Sequence, residues 1–140
     1  MKRLFKQVAL VVFGAALIFS CSSAPSDPES LADYALEKFK ADDMEALIEC
    51  STEENALKLK AELENNELLE KEAETNENIR KALEFGKDFK KKISEAQFEK
   101  GEIEDVSEGI KEVVYRSENG KLRVILKEVN GEWKLDMIGM

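Results

Sequence analysis

The side chains best suited to chemistry in this chain are two thiols, and the sequence offers them few partners. Cys21 and Cys50 are the only cysteines, and the 140 residues contain no histidine. Histidine-dependent acid–base catalysis, the Ser-His-Asp and Cys-His nucleophile systems and His-ligated zinc are therefore excluded. The glycines form neither a Gly-x-Gly-x-x-Gly pattern nor a phosphate-binding loop. We predict no catalytic residue, no metal site and no cofactor.

Cys21 follows a segment with the order of a secretory signal peptide. Positive charges between Lys2 and Lys6 precede an apolar run from Val8 to Phe19. Because a membrane-spanning helix needs ~20 apolar residues, this shorter run predicts an export signal and not a permanent membrane span. We therefore predict that residues 1–20 are a signal peptide.

The end of this signal, Ile18-Phe19-Ser20-Cys21, resembles the lipobox of bacterial lipoproteins. The resemblance implies that Cys21 becomes the first residue of the mature protein and carries the acyl chains that attach it to a membrane. Residues 21–27 would then form a short tether, and Ser22 at the second mature position favours the outer membrane of the cell envelope. The alternative is a secreted protein in which Cys21 is free or bonded to Cys50.

The charge balance narrows the range of partners. The chain has 30 acidic and 21 basic residues, a net charge of −9. Nucleic-acid binding requires clustered basic side chains, so we expect no nucleic-acid partner. Anionic headgroups would repel such a surface, so the acyl chains are expected to supply the membrane attachment. Cys50, at the end of a helical pattern, is predicted to be a buried, inert thiol.

Apolar residues at helical spacing, together with helix-start signals, predict helices throughout the first two thirds of the domain. Helices are predicted to begin at Pro28, after the break at 41–43, after Ser51 or Thr52, and after Asn76, with the last ending near Ile93. Asp42 is expected to cap the second of these helices, and Gly86 to permit close helix packing. A strand with poor alternation is predicted from Ser94 to Glu104, with Gly101 at a bulge.

Two Asn-Gly dipeptides divide the last third of the chain into alternating segments. Asn119-Gly120 and Asn130-Gly131 predict hairpins with two-residue type I′ turns, because both central residues of such a turn need positive φ. The first turn would place Val113 opposite Leu126. The sequence therefore predicts an antiparallel meander after the helices.

The second turn would place Leu126 opposite Leu135 and Val124 opposite Met137. This register gives the sheet one apolar face, which we expect to lie against the helices. The residues of that face are Val113, Tyr115, Leu122, Val124, Leu126, Trp133, Leu135 and Met137.

Helices followed by an antiparallel meander give an α+β fold. Two segments, Ala35–Ala46 and Glu128–Asp136, resemble an uncharacterised family of bacterial lipoproteins with the cone-shaped fold of nuclear transport factor 2, SnoaL and ketosteroid isomerase. By size, residues 28–140 form a single domain. The resemblance implies that N-terminal helices pack on a curved sheet and that the two enclose a conical pocket.

A conical pocket would be the place for a ligand. Tyr34, Tyr115, Trp133 and Met137 are the candidate lining residues, with plain core packing as the alternative. We expect a membrane-anchored, non-enzymatic lipoprotein that binds a small apolar ligand or another envelope protein.

Two other functions stay open on the sequence. An isomerase or cyclase needs a base and an oxyanion donor inside an apolar pocket. Tyr115 offers the donor, and Glu128 is the carboxylate expected on the same face. The other is a structural envelope protein that forms homodimers through the outer face of its sheet.

Overall fold

The fold is α+β, as predicted, with helices first and an antiparallel sheet after them. The structure is a computed structural model that describes residues 24–140. Over this range the elements are α1 (Pro28–Lys40), α2 (Met44–Glu49), α3 (Glu53–Ala73), α4 (Glu77–Glu95), β1 (Glu99–Lys100), β2 (Glu104–Ser107), β3 (Ile110–Ser117), β4 (Gly120–Val129) and β5 (Glu132–Gly139). The predicted signal peptide at 1–20 and the predicted lipidation site Cys21 lie outside the described residues.

Side-chain caps begin the long helices where the sequence indicated. Asp27 accepts a hydrogen bond from the Ser30 N–H at 2.9 Å, and Pro28 occupies the first turn of α1. The hydrogen bond from the Ser30 backbone lowers the pKa of Asp27. Thr52 caps α3 and Asn76 caps α4. These predicted starts are confirmed.

The cap of α2 differs from the prediction, because Asp42 has another role. Asp42 has φ 57° and lies in the left-handed position after α1, where its N–H donates to the Phe39 carbonyl at 3.1 Å. The next N–H, of Asp43, donates to the Lys38 carbonyl at 2.8 Å, which completes a Schellman motif. Asp43 therefore caps α2, and its Oδ1 accepts from the Ala46 N–H at 3.2 Å.

The sheet is curved and unclosed, with β3 paired to β1 and β2 on one side and to β4 on the other, and β4 paired to β5. Asn130 and Gly131 have φ values of 54° and 82°, which confirms the predicted turn between β4 and β5. Leu126 lies opposite Leu135, as predicted.

The turn between β3 and β4 is not the predicted one. Ser117 pairs with Gly120, so the two loop residues are Glu118 and Asn119. The Asn119 N–H donates to the Ser117 hydroxyl at 3.1 Å, and Gly120, with φ 128°, already belongs to β4. The local hydrogen bond of Ser117 therefore displaces the type I′ turn that the Asn-Gly pair favours.

This turn shifts the register of β3 and β4 by two residues. Val113 lies opposite Val124 and not opposite Leu126. An even shift leaves each side chain on its original face, so the predicted division of these two strands into faces still holds. Their inner residues Val113, Tyr115, Leu122, Val124 and Leu126 are at most 1% exposed.

A bulge at Asp136 changes the face of the residues that follow it in β5. Leu126 pairs with Leu135 but Ile125 pairs with Met137, which leaves Asp136 as the extra residue. Beyond the bulge, Ile138 lies opposite Val124 and packs on the core. The predicted Val124–Met137 pair is therefore wrong.

The bulge is held by the segment that joins α2 to α3. The Thr52 hydroxyl donates to the Asp136 carboxylate at 3.0 Å, and the Thr52 N–H donates to the Leu135 carbonyl at 2.8 Å. The Leu135 N–H donates to the Cys50 carbonyl at 2.7 Å, which gives a short parallel bridge. The Asn55 amide donates to the buried hydroxyl of Ser51 at 3.0 Å.

The segment after α4 becomes extended later than expected. The helix continues to Glu95, so residues 94 and 95 are not in a strand, and β1 begins at Glu99. Gly101 lies between β1 and β2, where the pairing with β3 is interrupted, and its N–H donates to the Val114 carbonyl at 2.8 Å. A Cβ at this position would lie 2.8 Å from the same oxygen, which explains the need for glycine.

One core joins the helices to the inner face of the sheet. Its helical members are Leu31, Ala32, Ala35, Leu47, Cys50 and Leu59, and these pack on the inner residues of β3, β4 and β5. The predicted burial of Cys50 is confirmed. The core thus uses α1, α2 and only the first turns of α3.

The rest of α3 and most of α4 pack on each other outside this core. Ala73 is the only buried residue between 60 and 92, and we call this stretch the helical arm. Gly86 lies within the arm, and a Cβ added there would meet nothing within 4 Å. The predicted close packing at Gly86 is therefore wrong.

Candidate functional site

The structure places one of the four residues predicted to line a ligand cavity, Met137, on the opposite face of the sheet from Tyr115. Tyr115 is fully buried in β3, while Tyr34 and Trp133 are half-buried at the edges of the core. The Lys38 Nζ lies 5.3 Å from the Tyr34 ring centroid, and the Lys111 Nζ lies 5.7 Å from that of Trp133.

Met137 lies opposite Ile125, on the outer face of the sheet, because of the bulge that precedes it. Its expected place beside Val124 is taken by Ile138. The inner face itself carries tightly buried side chains. Met137 therefore does not share the inner face of the sheet with Tyr115 and Trp133.

Tyr115 has a carboxylate partner that sequence reasoning missed. Its hydroxyl donates to Asp33 Oδ1 on α1 at 2.7 Å. Burial, followed by this hydrogen bond, raises the pKa of Tyr115 far above its usual range. Glu128, the carboxylate expected on the same face near the strand end, lies opposite Trp133 near the end of β4.

Asp33 belongs to a charged cluster that joins α1 to β1. Lys100 donates to Asp33 at 3.0 Å and to Glu29 at 2.9 Å. Burial opposes the charge on Lys100, but the hydrogen bonds to Glu29 and Asp33 outweigh it and raise the lysine pKa. Two acids four residues apart on one helix repel each other, and this spacing was the sequence signal for a cation between them. We interpret the cluster as a clamp that holds β1 on the helices.

A groove lies between the helical arm and the turn that joins α1 to α2. It has a volume of about 650 Å³, within the range of about 300–1,000 Å³ that is usual for small-molecule sites. Its apolar lining residues are Phe39, Met44, Leu47, Phe89 and Ile93. Leu47 and Ile93 are buried, whereas Phe89 is 44% exposed. The groove therefore has an apolar floor that opens to solvent.

Lysines dominate the charged rim of the groove. Lys40, Lys87, Lys90 and Lys91 line it, against the acids Asp42 and Glu62. Lys90 pairs with Asp42 at 3.3 Å across the groove. Lys40 donates to the carbonyl of Ala96 at 3.0 Å and also lies 5.8 Å from the ring centroid of Phe98.

The remaining two lysines of the rim, Lys87 and Lys91, have no ion-pair partner within residues 24–140. They lie four residues apart on α4 and both line the groove. The arrangement offers an apolar surface beside two uncompensated positive charges, on a chain whose net charge is −9.

Sequence reasoning did not predict this groove. Its residues come from four helices and a turn, and they meet only because the helical arm leaves the core. The available signal was the segment from Lys87 to Ile93, in which three lysines separate Phe89 from Ile93, although such a charge run most often marks a solvated face.

The described residues hold neither a cluster of metal-ligating side chains nor a helix long and apolar enough to cross a membrane. Asn65 and Asn66 are the uncharged polar side chains that α3 adds to the groove.

No family model, curated protein or solved structure matches this chain.

Proposed function

We propose that this protein is a non-enzymatic binding module that holds a small, largely apolar molecule in the groove beside the helical arm. The observation that carries the proposal is the groove itself, in which an open apolar floor of about 650 Å³ is rimmed by a few polar groups. Phe89 is the apolar lining residue that would lose most exposed surface when a ligand binds, because 44% of it is exposed to water.

The site we propose differs from the conical interior that the sequence suggested. The inner face of the sheet is filled by its own side chains, whereas the groove is open. We also propose that the fold is a variant of the nuclear transport factor 2-like cone. Helices that cover one face of a curved antiparallel sheet support this assignment. The helical arm would then be an addition that moves the ligand site outside the cone.

The place of action we propose is the cell envelope. The signal-like order of residues 1–20 and the lipobox-like position of Cys21 support a lipoprotein, and Ser22 supports the outer membrane. A binding module of this kind needs no catalytic constellation. The Tyr115–Asp33 pair fits that view, because the Asp33 carboxylate accepts hydrogen bonds from both Tyr115 and Lys100.

Binding of a neutral apolar fluorophore, N-phenyl-1-naphthylamine, tests the groove. We expect the full chain to bind it at one site with enhanced fluorescence, and we expect Phe89→Ala to weaken binding about fivefold, since truncation of a half-exposed ring loses about 1 kcal/mol. Phe85→Ala is the matched control, because Phe85 lies on the same helix, is 77% exposed and does not line the groove.

Two outcomes would contradict the proposal. One is no binding of the fluorophore to the unmodified chain. The other is equal weakening by Phe85→Ala and Phe89→Ala, which would indicate nonspecific contact with exposed aromatic rings. Circular dichroism of each variant shows whether α4 is intact.

A further inference from the structure

The geometry points to a single-chain amphiphile with an anionic head group as the occupant of the groove, with the head group bound between Lys87 and Lys91. This inference rests on the proposed function and adds the chemical class of the ligand. Acyl carboxylates and acyl phosphates share the required chemistry, which is an apolar tail that ends in a compact negative charge.

The spacing of the two lysines favours a bound anion. Like charges at i and i+4 on a helix repel each other, and Lys87 and Lys91 have this spacing. The chain contains the same arrangement with opposite sign at Glu29 and Asp33, where Lys100 lies between the two acids at 2.9 and 3.0 Å. The acidic pair has its counter-ion within the protein. Within residues 24–140 the basic pair has none.

The position of the two lysines favours an anion that carries an apolar tail. Both line the same groove as Phe39, Met44 and Phe89. A free inorganic anion would leave this apolar floor in water, and a neutral apolar molecule would leave the two charges uncompensated. An amphiphile with an anionic end satisfies both surfaces at once, because its tail covers the floor while its head pairs with the lysines.

The other charged groups of the groove are compatible with this orientation. Asp42 is already paired with Lys90 at 3.3 Å, so it presents little uncompensated negative charge to a ligand. Glu62 is the remaining acid of the rim, on α3. We therefore place the head group on the α4 side of the groove.

Displacement of bound N-phenyl-1-naphthylamine from the full chain tests this inference. Dodecanoate, dodecyl phosphate, dodecanol and inorganic phosphate are compared. The two anionic amphiphiles are kept below their micellar concentrations and dodecanol below its solubility limit. We expect at least one of the anionic amphiphiles to compete about tenfold more tightly than dodecanol, and we expect this preference to shrink with added salt. Whichever of dodecanoate and dodecyl phosphate competes better identifies the head group.

A charge-matched pair of double variants locates the effect. Lys87→Gln with Lys91→Gln should abolish the preference for the anionic amphiphiles over dodecanol. Lys81→Gln with Lys92→Gln removes the same charge from α4 outside the groove and should preserve the preference.

Each failure has its own meaning. Equal competition by dodecanol and both anionic amphiphiles would overturn the anionic head group and leave the binding function standing. Competition by inorganic phosphate as strong as that by dodecyl phosphate would overturn the acyl tail. An anion preference that survives in the Lys87/Lys91 variant would overturn the assigned residues. Absence of fluorophore binding to the unmodified chain would instead refute the proposed function itself.

Discussion

At the scale of single residues, Cys50 shows how burial fixes chemistry. The thiol ends α2, is 5% exposed and donates to the Leu47 carbonyl at 3.4 Å. Burial raises its pKa to about 11. A thiol in this state is protonated at neutral pH and is a poor nucleophile, which agrees with a structural role.

The raised pKa predicts a loss of stability in alkali. An unfolded cysteine ionises near pH ~8.5, whereas the folded thiol stays neutral to about pH 11, so the unfolded state releases the proton first. Below about pH 8 the neutral thiol therefore contributes up to about 3 kcal/mol to the free energy of unfolding. This contribution is lost as the pH approaches 11.

Urea unfolding of the unmodified chain and of Cys50→Ala at a series of pH values measures this contribution. The loss of stability between neutral pH and about pH 11 should be smaller in the variant, even though the variant is less stable at neutral pH. Tyr115 and Lys100 also have raised pKa values and act in the same direction, but they are present in both proteins and cancel in the comparison. Parallel pH curves would contradict the prediction.

At the scale of elements, Thr52 controls two structures at once. It caps α3, where its hydroxyl accepts from the Asn55 N–H at 3.2 Å, and it donates to Asp136 at the bulge of β5 at 3.0 Å. A single hydroxyl therefore fixes the start of a helix and the face that the end of the sheet presents to the core.

Replacement of Thr52 should destabilise more than the loss of an ordinary helix cap. We expect Thr52→Ala to lower the free energy of unfolding by about 2 kcal/mol, and Thr52→Ser to retain most of the stability, because serine keeps the hydroxyl. Asn76→Ala, at the exposed cap of α4, should cost about 1 kcal/mol. Urea unfolding measures all three. An equal loss for Thr52→Ser and Thr52→Ala would contradict the role of the hydroxyl.

This residue also shows which parts of the fold could be predicted. The helix starts at Pro28 and Asn76 and the turn at Asn130-Gly131 depend on neighbouring residues, so local sequence signals were sufficient. The bulge at Asp136 depends on Thr52, which is 84 residues away in the chain, and no local pattern could reveal it.

The candidate site was less predictable than the fold for the same reason. Tyr34, Tyr115, Trp133 and Met137 were chosen because aromatic and Met side chains fell on expected inner positions, but the sheet buries Tyr115 and its bulge turns Met137 outward. The groove depends on the angle at which the helical arm leaves the core, and helical periodicity does not specify that angle.

At the scale of the whole molecule, the net negative charge and the predicted membrane attachment depend on different residues. The chain is acidic overall, with a net charge of −9, while the groove carries a local excess of lysine. The predicted attachment to a membrane depends on Cys21, and neither the acidic surface nor the lysines of the groove supply it. An acidic body on a lipid anchor would be repelled by anionic headgroups, so a short tether and several acyl chains would have to hold it in place.

Substitution of Cys21 tests the attachment. When the full chain is expressed in a Gram-negative bacterium, we expect the unmodified protein to incorporate labelled fatty acid and to fractionate with membranes. Cys21→Ala should lose the label completely and keep residues 1–20, as shown by intact mass. Cys50→Ala is the matched control and should remain labelled. Fatty-acid label on the Cys21→Ala protein would refute the prediction.

The parallel bridge at Leu135 has a consequence for self-association. Fibril growth and strand exchange begin when a foreign strand adds to the margin of a sheet. In this protein one margin is occupied at its midpoint by the backbone of Cys50 and Thr52 and is distorted at Asp136, while the opposite margin is broken at Gly101. Neither margin offers an uninterrupted template, so we expect the protein to resist polymerisation through its backbone even at high concentration.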